Sequence, residues 1–537
     1  MTLSARSQIT IGGALLLLLA ACATQPTFRD APIVWQADDA RSIPEPQERE
    51  YSPEEYFTNV FVARRLTRTL ELRDLEPAGN TNALDEVPNS TWFTNRLGVR
   101  DLTPAIVARG PVTSGPPKVP LTIIRGKNSG GNAGFFARDA TGRAFLVKFD
   151  TLENPEMQTA ASVIVNRAMW ALGYNVPEDT LVTFASGDLK LSETATTEDD
   201  LGNERRMTRA DVHAVLSAGP RSNDGRYRAS ASLLLSGTPK GGFRPEGTRR
   251  DDPNDRVDHE ARRELRALRV FSAWLGHTDM KEDNTLDMYV HEGERRFLRH
   301  YLIDFGEALG GHQAEKGRLE DGYEHLWDWE DNTAAIFALG LWKRAWESQQ
   351  QTPWPSIGAF GARHFKPEAW KEAYPYWPFW EADAADLYWG AKLVMRFERP
   401  LIEAIVAQGA LSNPRAAAYL VEALSERKRK IGHAWLEALT PFDYLRIHPS
   451  RLCGTDLGVH FGLAQEGAIV AVSEDGHIVD EVRVNRDGRA CLPIASHDGY
   501  EVLRLRTRRG QHLKPAMQVH YRAGKRARIL GVIRLEP

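Results

Sequence analysis

The 36 residues from Phe271 to Gly306 constrain this chain more than any other stretch. Leading into them, the apolar positions Leu265, Leu268, Phe271 and Leu275 recur at steps of three and four, which predicts a helix between about 257 and 275. The helix gives way to Gly276-His277-Thr278-Asp279-Met280-Lys281-Glu282-Asp283-Asn284, too polar to prolong it. A strand-like LDMYV, a short charged link and FLRHYLI follow, and the chain then presents Asp304-Phe305-Gly306. Asp279 precedes Asn284 by five residues, and the second Asp arrives just past a β-like run. That order can gather three hard oxygen donors at one spot, the kind of donor that magnesium takes. A capped turn and a β-turn in some other α+β fold are the bland account of the same letters. The joint spacing argues against it.

Lys148 adds a fourth polar group, at the end of the apolar run Phe145-Leu146-Val147-Lys148 and followed by Phe149. A lysine so placed must be paired or reach water. Ahead of it, GKNSGGNAG (Gly126 to Gly134) separates two strand-like runs. Gly126, Gly130, Gly131 and Gly134 would let backbone N–H groups come close to phosphates. The loop has neither a Walker A ending nor GxGxxG spacing, so a plain hairpin loop is the alternative. After Lys148, ENPEMQTAASVIVNRAMWALGY reads as a helix, with Ala160, Val163, Ile164, Met169 and Leu172 as its buried stripe, Pro155 in its first turn and Gly173 at its end.

Phosphoryl transfer asks for positioning and charge neutralisation more than covalent chemistry, and this set of groups suits it. In that reading Asp304 and Asn284 share a magnesium ion, and Asp279 orients and deprotonates an acceptor hydroxyl. Lys148 bridges two phosphates and pairs with a helix carboxylate, Glu156 being the first choice and Glu153 its rival. His277 would buttress the loop, and Asp283 has the wrong offset for the base.

A chain of 537 residues and 60.2 kDa should divide into two to four domains. Lys and Arg total 68 against 72 Asp and Glu, a balance that argues against a dedicated nucleic-acid binder. At the start, Arg6, the apolar run Ile9 to Ala20 and Leu19-Ala20-Ala21-Cys22 read as a signal peptide, too short to span a bilayer comfortably. The closing tetrapeptide resembles a bacterial lipobox. That resemblance makes Cys22 the lipidated first residue of a mature lipoprotein, and Ala23 after it favours the outer membrane, with the soluble portion periplasmic or surface-exposed. Cys453 and Cys491 then remain, either paired or as two buried thiols.

The expected organisation is a signal peptide (1–21), a mobile polar tether (22–53), an extension packed on the next unit (54–120), a strand-rich unit with one helix (121–190) and a helical unit (191–440). Residues 448–537 alternate and are punctuated by Asp-Gly turns, which predicts an independently packed antiparallel β domain, sandwich or barrel.

Taken together, GKNSGGNAG, FLVKFD, the helix from Glu156, GHTDMKEDN and IDFG make residues 121–310 resemble the atypical branch of the protein-kinase-like superfamily, which includes HipA-type, CotH-type and secreted Fam20-type kinases. The resemblance implies an α+β, two-lobed kinase-like fold, residues 121–190 being the small lobe and 191–440 the large lobe, with an N-terminal extension and a C-terminal antiparallel β domain. It implies ATP with Mg²⁺ or Mn²⁺ as cofactors, and Lys148, Glu156, Asp279, Asn284 and Asp304 in the roles given above. The expected activity is an envelope phosphotransferase acting on a protein, sugar or lipid hydroxyl, with a nucleotide, the membrane and an envelope protein or glycan as partners. Nucleotidyl transfer on the same scaffold, an inactive nucleotide-binding or scaffolding lipoprotein, and a purely structural lipoprotein are the alternatives. The chain departs from ordinary protein kinases in its irregular glycine loop, in His-Thr-Asp where those have His-Arg-Asp, and in lacking an Ala-Pro-Glu element after Gly306.

Overall fold

Strand β1 (Leu121–Gly126), β2 (Gly134–Arg138) and β3 (Ala144–Lys148) form an antiparallel meander whose second turn is closed by Asp139. The Asp139 carboxylate accepts the backbone N–H groups of Thr141 and Arg143. This computed structural model describes residues 27–70, 75–128, 130–199, 201–312, 315–338, 341 and 343–536, so Cys22 and the signal peptide lie outside the described residues.

β4 (Asp179–Phe184), β5 (Leu189–Glu198), β6 (Glu204–Arg206) and β7 (Tyr227–Leu233) complete the sheet. Among the described residues its order is β4-β7-β3-β2-β1-β5-β6, with β1 and β5 parallel. The sheet thus continues beyond residue 190, where the sequence reading drew a boundary. Tyr227, Ala229 and Ala231 are fully buried, and their alternation seats β7 between β3 and β4.

Helix α1 (Met157–Leu172) follows β3, and all of its side chains except that of Trp170 are buried. Its start is organised by Asp150, whose carboxylate accepts the N–H groups of Glu156, Gln158 and Thr159 and the Thr159 hydroxyl. That carboxylate does the work of an N-cap. Asp150→Ala is therefore expected to lower stability by about 1–2 kcal/mol, read as a shifted urea midpoint with an unchanged m-value.

Helix α2 (Arg263–Leu275) packs on α3 (Ala384–Met395), and α4 (Arg399–Gln408) and α5 (Pro414–Ile431) close the helical body around Trp274, Trp389 and Leu424. Arg263 and Arg266 on α2 are buried and share the Asp386 carboxylate of α3, at 2.9 and 3.1 Å. β8 (Thr238–Pro239), β9 (Thr285–Glu292) and β10 (Arg295–Leu302) form a small antiparallel sheet beside α2, and β11 (Gly311–His312) pairs with β12 (Glu315–Lys316) just beyond it.

The C-terminal strands make two sheets with apolar side chains between them. β13 (Phe442–His448) pairs with β14 (Arg451–Asp456), which pairs in turn with β17 (Arg489–Pro493), and Cys453 is bonded to Cys491 across the β14–β17 register. β15 (Ala468–Val472), β16 (Ile478–Arg483), β18 (Gly499–Arg509), β19 (His512–Leu513), β20 (Met517–Ala523) and β21 (Arg528–Arg534) form the other sheet. The two sheets keep an apolar core of their own and also share ion pairs with the helices. Lys392 of α3 pairs with Glu86 and, at 3.2 Å, with Asp443, and Arg534 pairs with Asp443 at 2.9 Å. Removing the C-terminal strands would take Asp443 away from Lys392 and leave it Glu86 as its ion-pair partner.

The segment expected as a mobile tether is instead laid along the fold from residue 27 onward. Ala37 and Asn89, Ile43 and Arg296, and Arg49 and Lys240 are joined by backbone hydrogen bonds of 2.8, 2.9 and 3.1 Å. Long-range pairing of main-chain groups supplies the order that its polar composition did not signal. Farther along, the Phe93 ring sits against Gly173 at the end of α1, where a Cβ would lie 2.2 Å from it. Among the described residues no helix is long and apolar enough to cross a membrane.

Candidate functional site

Lys148, at the end of β3, and Asp304, just past β10, join the first sheet to the segment that follows the β9–β10 hairpin. The Lys148 ammonium lies 2.7 Å from Asp304 Oδ2. Asp304 has a left-handed backbone (φ 59°), uncommon for a residue with a side chain and typical of sites where the surroundings hold a strained geometry. Its side chain is 42% exposed, so water and small ligands can reach the carboxylate. Burial among protein atoms pushes the Asp304 carboxyl up, but Lys148, then Lys127 and Lys281, more than offset this and hold it below its ordinary range.

Asp279 and Asn284 form a second, buried pair behind Asp304. Gly276 ends α2 in a left-handed turn (φ 61°), where a Cβ would meet the Phe360 ring at 2.9 Å, and so releases the chain into the polar loop. Asn284 Nδ2 donates to Asp279 Oδ2 at 2.6 Å and to the Asp279 carbonyl at 2.7 Å. With its amide nitrogen thus engaged, Asn284 keeps Oδ1 as an acceptor. The Ile303 N–H donates to the Asn284 carbonyl at 3.0 Å, which ties the Asp304 segment to the loop. His277 is buried against Phe305, with Nδ1 3.3 Å from the Glu307 carbonyl. Burial pulls its pKa down despite Asp279 nearby, so a neutral buttress fits it better than a charged one. Asp283 is exposed.

Glu156 does not take the place expected of it. The residue adopts a left-handed conformation (φ 67°) one position before α1, because Asp150 captures the first N–H groups of the helix. Its carboxylate accepts from the Ser412 N–H and hydroxyl at 2.9 and 3.1 Å and lies 3.8 Å from Arg228. Lys148 is paired with Asp304 instead. Gln158, two residues on, faces Gly306: a Cβ there would be 3.6 Å from Gln158 Oε1. Glu156→Gln is accordingly expected to change nucleotide affinity by no more than about two-fold, a calorimetric comparison with wild type being the check.

The glycine loop lies beside this pair. At Gly134 a Cβ would be 2.4 Å from the Val147 carbonyl, so only glycine lets β2 start so close to β3. Gly126 ends β1, with a would-be Cβ 2.4 Å from Thr197 Oγ1, and Gly130 (φ 77°) and Gly131 lie in the loop between. Lys127 closes the loop by donating to the Asn132 and Gly130 carbonyls at 2.8 and 3.4 Å. Burial pushes the Lys127 ammonium down to about 8, with Lys148 adding to the push and Asp304 opposing it. A phosphate bound beside Lys127 would favour the charged form, so a proton that the free ammonium holds only weakly near pH 8 would be kept in the bound state. Nucleotide affinity is therefore expected to fall as pH rises through that value, by at most about ten-fold per unit for one proton. Lys127→Met should bind more weakly at neutral pH and lack the fall, as calorimetric titrations across the range would reveal.

Lys281 completes the site. Its ammonium is 3.1 Å from Asp279 Oδ1 and 5.5 Å from the centre of the Tyr374 ring. Burial would lower its pKa, but Asp279 and then Tyr374 outweigh this and keep it charged. The sequence reading assigned neither Lys281 nor Lys127. For Lys281 the signal was present, a lone cation between Asp279 and Asn284. Among the described residues no group of three or more His, Cys, Asp or Glu side chains is arranged to hold a metal ion. A nucleotide-bound magnesium ion takes most of its ligands from phosphate and water, and the Asp304 carboxylate with Asn284 Oδ1 suits the remainder.

No protein-family model matches the chain, and no curated protein matches it. Solved structures do. The chain is similar to the Helicobacter pylori proinflammatory kinase CtkA, at 13% identity over 58% of this chain and 92% of that one, with a TM-score of 0.31. It is also similar to the Golgi casein kinase, at 10% identity over 60% of this chain and 74% of that one, with a TM-score of 0.32. The same kinase with Mn/ADP bound matches at 11% identity over 60% of this chain and 76% of that one, with a TM-score of 0.26. The likeness is weak, and it is to protein-kinase-like folds.

Proposed function

We propose that this chain is an ATP-dependent phosphotransferase of the bacterial cell envelope, acting on a hydroxyl of a protein, sugar or lipid. It would be a two-lobed kinase-like enzyme with an N-terminal extension and a C-terminal β domain, held at the outer membrane by lipid on Cys22. The observation that carries the activity is the meeting of Lys148 and Asp304 at 2.7 Å beside the Asp279–Asn284 pair at 2.6 Å.

ATP with Mg²⁺ or Mn²⁺ would supply the phosphoryl group and the charge that links it to the protein. Asp304 and Asn284 Oδ1 would hold the metal. Lys148, released in part from Asp304, would meet the phosphates, with Lys127 and the backbone of the glycine loop on their other side. Asp279, oriented by the two hydrogen bonds from Asn284, would receive the acceptor proton on the carboxylate. Lys281, 3.1 Å from that carboxylate, would offset charge that develops on the transferring oxygens.

Purified protein, an envelope extract, magnesium and either γ- or α-labelled ATP test the reading. Transfer of the γ label to a stable product supports phosphotransfer. Transfer of the α label replaces it with nucleotidyl transfer, and tight nucleotide binding with no transfer of either label replaces it with a binding role.

A further inference from the structure

Phe28 and Asp30 are fastened to one corner of the C-terminal sheets. The Phe28 ring packs edge-on against His520 of β20, with centroids 4.9 Å apart, and covers Gly531 of β21, where a Cβ would lie 2.4 Å from it. The Phe28 N–H donates to the Tyr500 hydroxyl at 3.0 Å. Asp30 pairs with Arg522 at 2.9 Å and also with Arg528. These contacts bracket the β20–β21 turn, where Lys525 and Arg526 in the turn and Arg522 and Arg528 on the strand ends flanking it are all exposed. Asp30 answers Arg522 and Arg528, and Asp498 approaches Gly524 from the neighbouring turn. Lys525 and Arg526 have no ion-pair partner among the described residues. The tip therefore carries an excess of positive charge.

Five residues lie between Cys22 and Phe28, six steps along the chain. Fully extended they reach about 20 Å, so acyl chains on Cys22 would hold this corner of the molecule near the bilayer surface. Basic side chains held there meet the phosphates of anionic lipids, each contributing about five-fold to surface association. We infer that the β20–β21 turn is a membrane-docking surface that seats on anionic lipid headgroups once Cys22 is acylated, which fixes the face that the protein turns to its membrane. The inference rests on the lipoprotein reading given above and is independent of the phosphotransfer chemistry.

Energy transfer to the bilayer tests it. The full lipidated chain is reconstituted in phosphatidylcholine vesicles, with or without phosphatidylglycerol, that carry an acceptor dye on a headgroup. A donor is placed through Ser496→Cys, on the turn beside Gly524, or through Leu201→Cys, on the β5–β6 turn of the first sheet. Transfer is expected to be stronger from position 496 than from 201, and stronger with phosphatidylglycerol than without. The pair K525Q and R526Q should shift the docked-to-undocked ratio by about 25-fold and remove the gain from anionic lipid, with the melting temperature unchanged. Equal transfer from the two positions, or a gain indifferent to lipid charge, overturns docking by this turn. An N-terminal peptide of unacylated mass overturns it through its premise, and mass spectrometry of the same preparation separates the two failures.

Discussion

Magnesium-dependent ATP binding is expected to vanish in Asp304→Ala, a loss of at least about 100-fold, or about 2.7 kcal/mol. Two effects act together. The carboxylate proposed to meet the metal disappears, and Lys148 loses its partner at 2.7 Å. Alanine also fits a left-handed backbone (φ 59°) poorly. Asp304→Asn serves as the companion, because asparagine tolerates that conformation and keeps an oxygen while removing the charge. Calorimetry with and without magnesium gives the affinity, and the rise in melting temperature with Mg–ATP gives an independent reading. If Asp304→Asn bound Mg–ATP as wild type does, the metal would have to be held elsewhere.

How much of this was legible in the sequence depends on how local the cause is. Asp279, Asn284 and Asp304 come together because a helix end, a short turn and one hairpin separate them, and those elements are written in apolar spacing. Lys148 needed only a strand and a meander. Glu156 failed because its fate is decided by distant groups. Asp150 takes the N–H groups at the start of α1, and Ser412, 256 residues away, takes the carboxylate. Nothing in the local pattern marks Arg263 and Arg266 as buried, yet both lie against Asp386, more than 100 residues on. The ordering of residues 27–49 follows the same rule, since backbone pairing with Asn89, Arg296 and Lys240 leaves no trace in local composition. The sequence alone leaves the disulfide open, because pairing two cysteines 38 residues apart depends on strand register, and β14 and β17 supply it.

Asp279→Asn is expected to separate catalysis from binding. The carboxylate is 6% exposed, clamped by Asn284 at 2.6 Å and Lys281 at 3.1 Å, and asparagine is nearly the same size. One oxygen remains to accept from Asn284 or Lys281, so the loop should keep its shape and nucleotide affinity should stay close to wild type. What asparagine lacks is the capacity to take a proton from an acceptor hydroxyl. A positioned general base contributes about 10²–10⁴-fold, so the rate of transfer should fall by that factor with little change in nucleotide Kd. Lys148→Ala provides the contrast, since it should weaken nucleotide binding as well as slow transfer. Single-turnover rates at saturating nucleotide isolate the chemical step from product release. A fall in rate matched by an equal fall in affinity would mean that Asp279 holds the nucleotide's metal. A rate near that of wild type would remove it from the reaction altogether, and the proton would then have to leave through solvent.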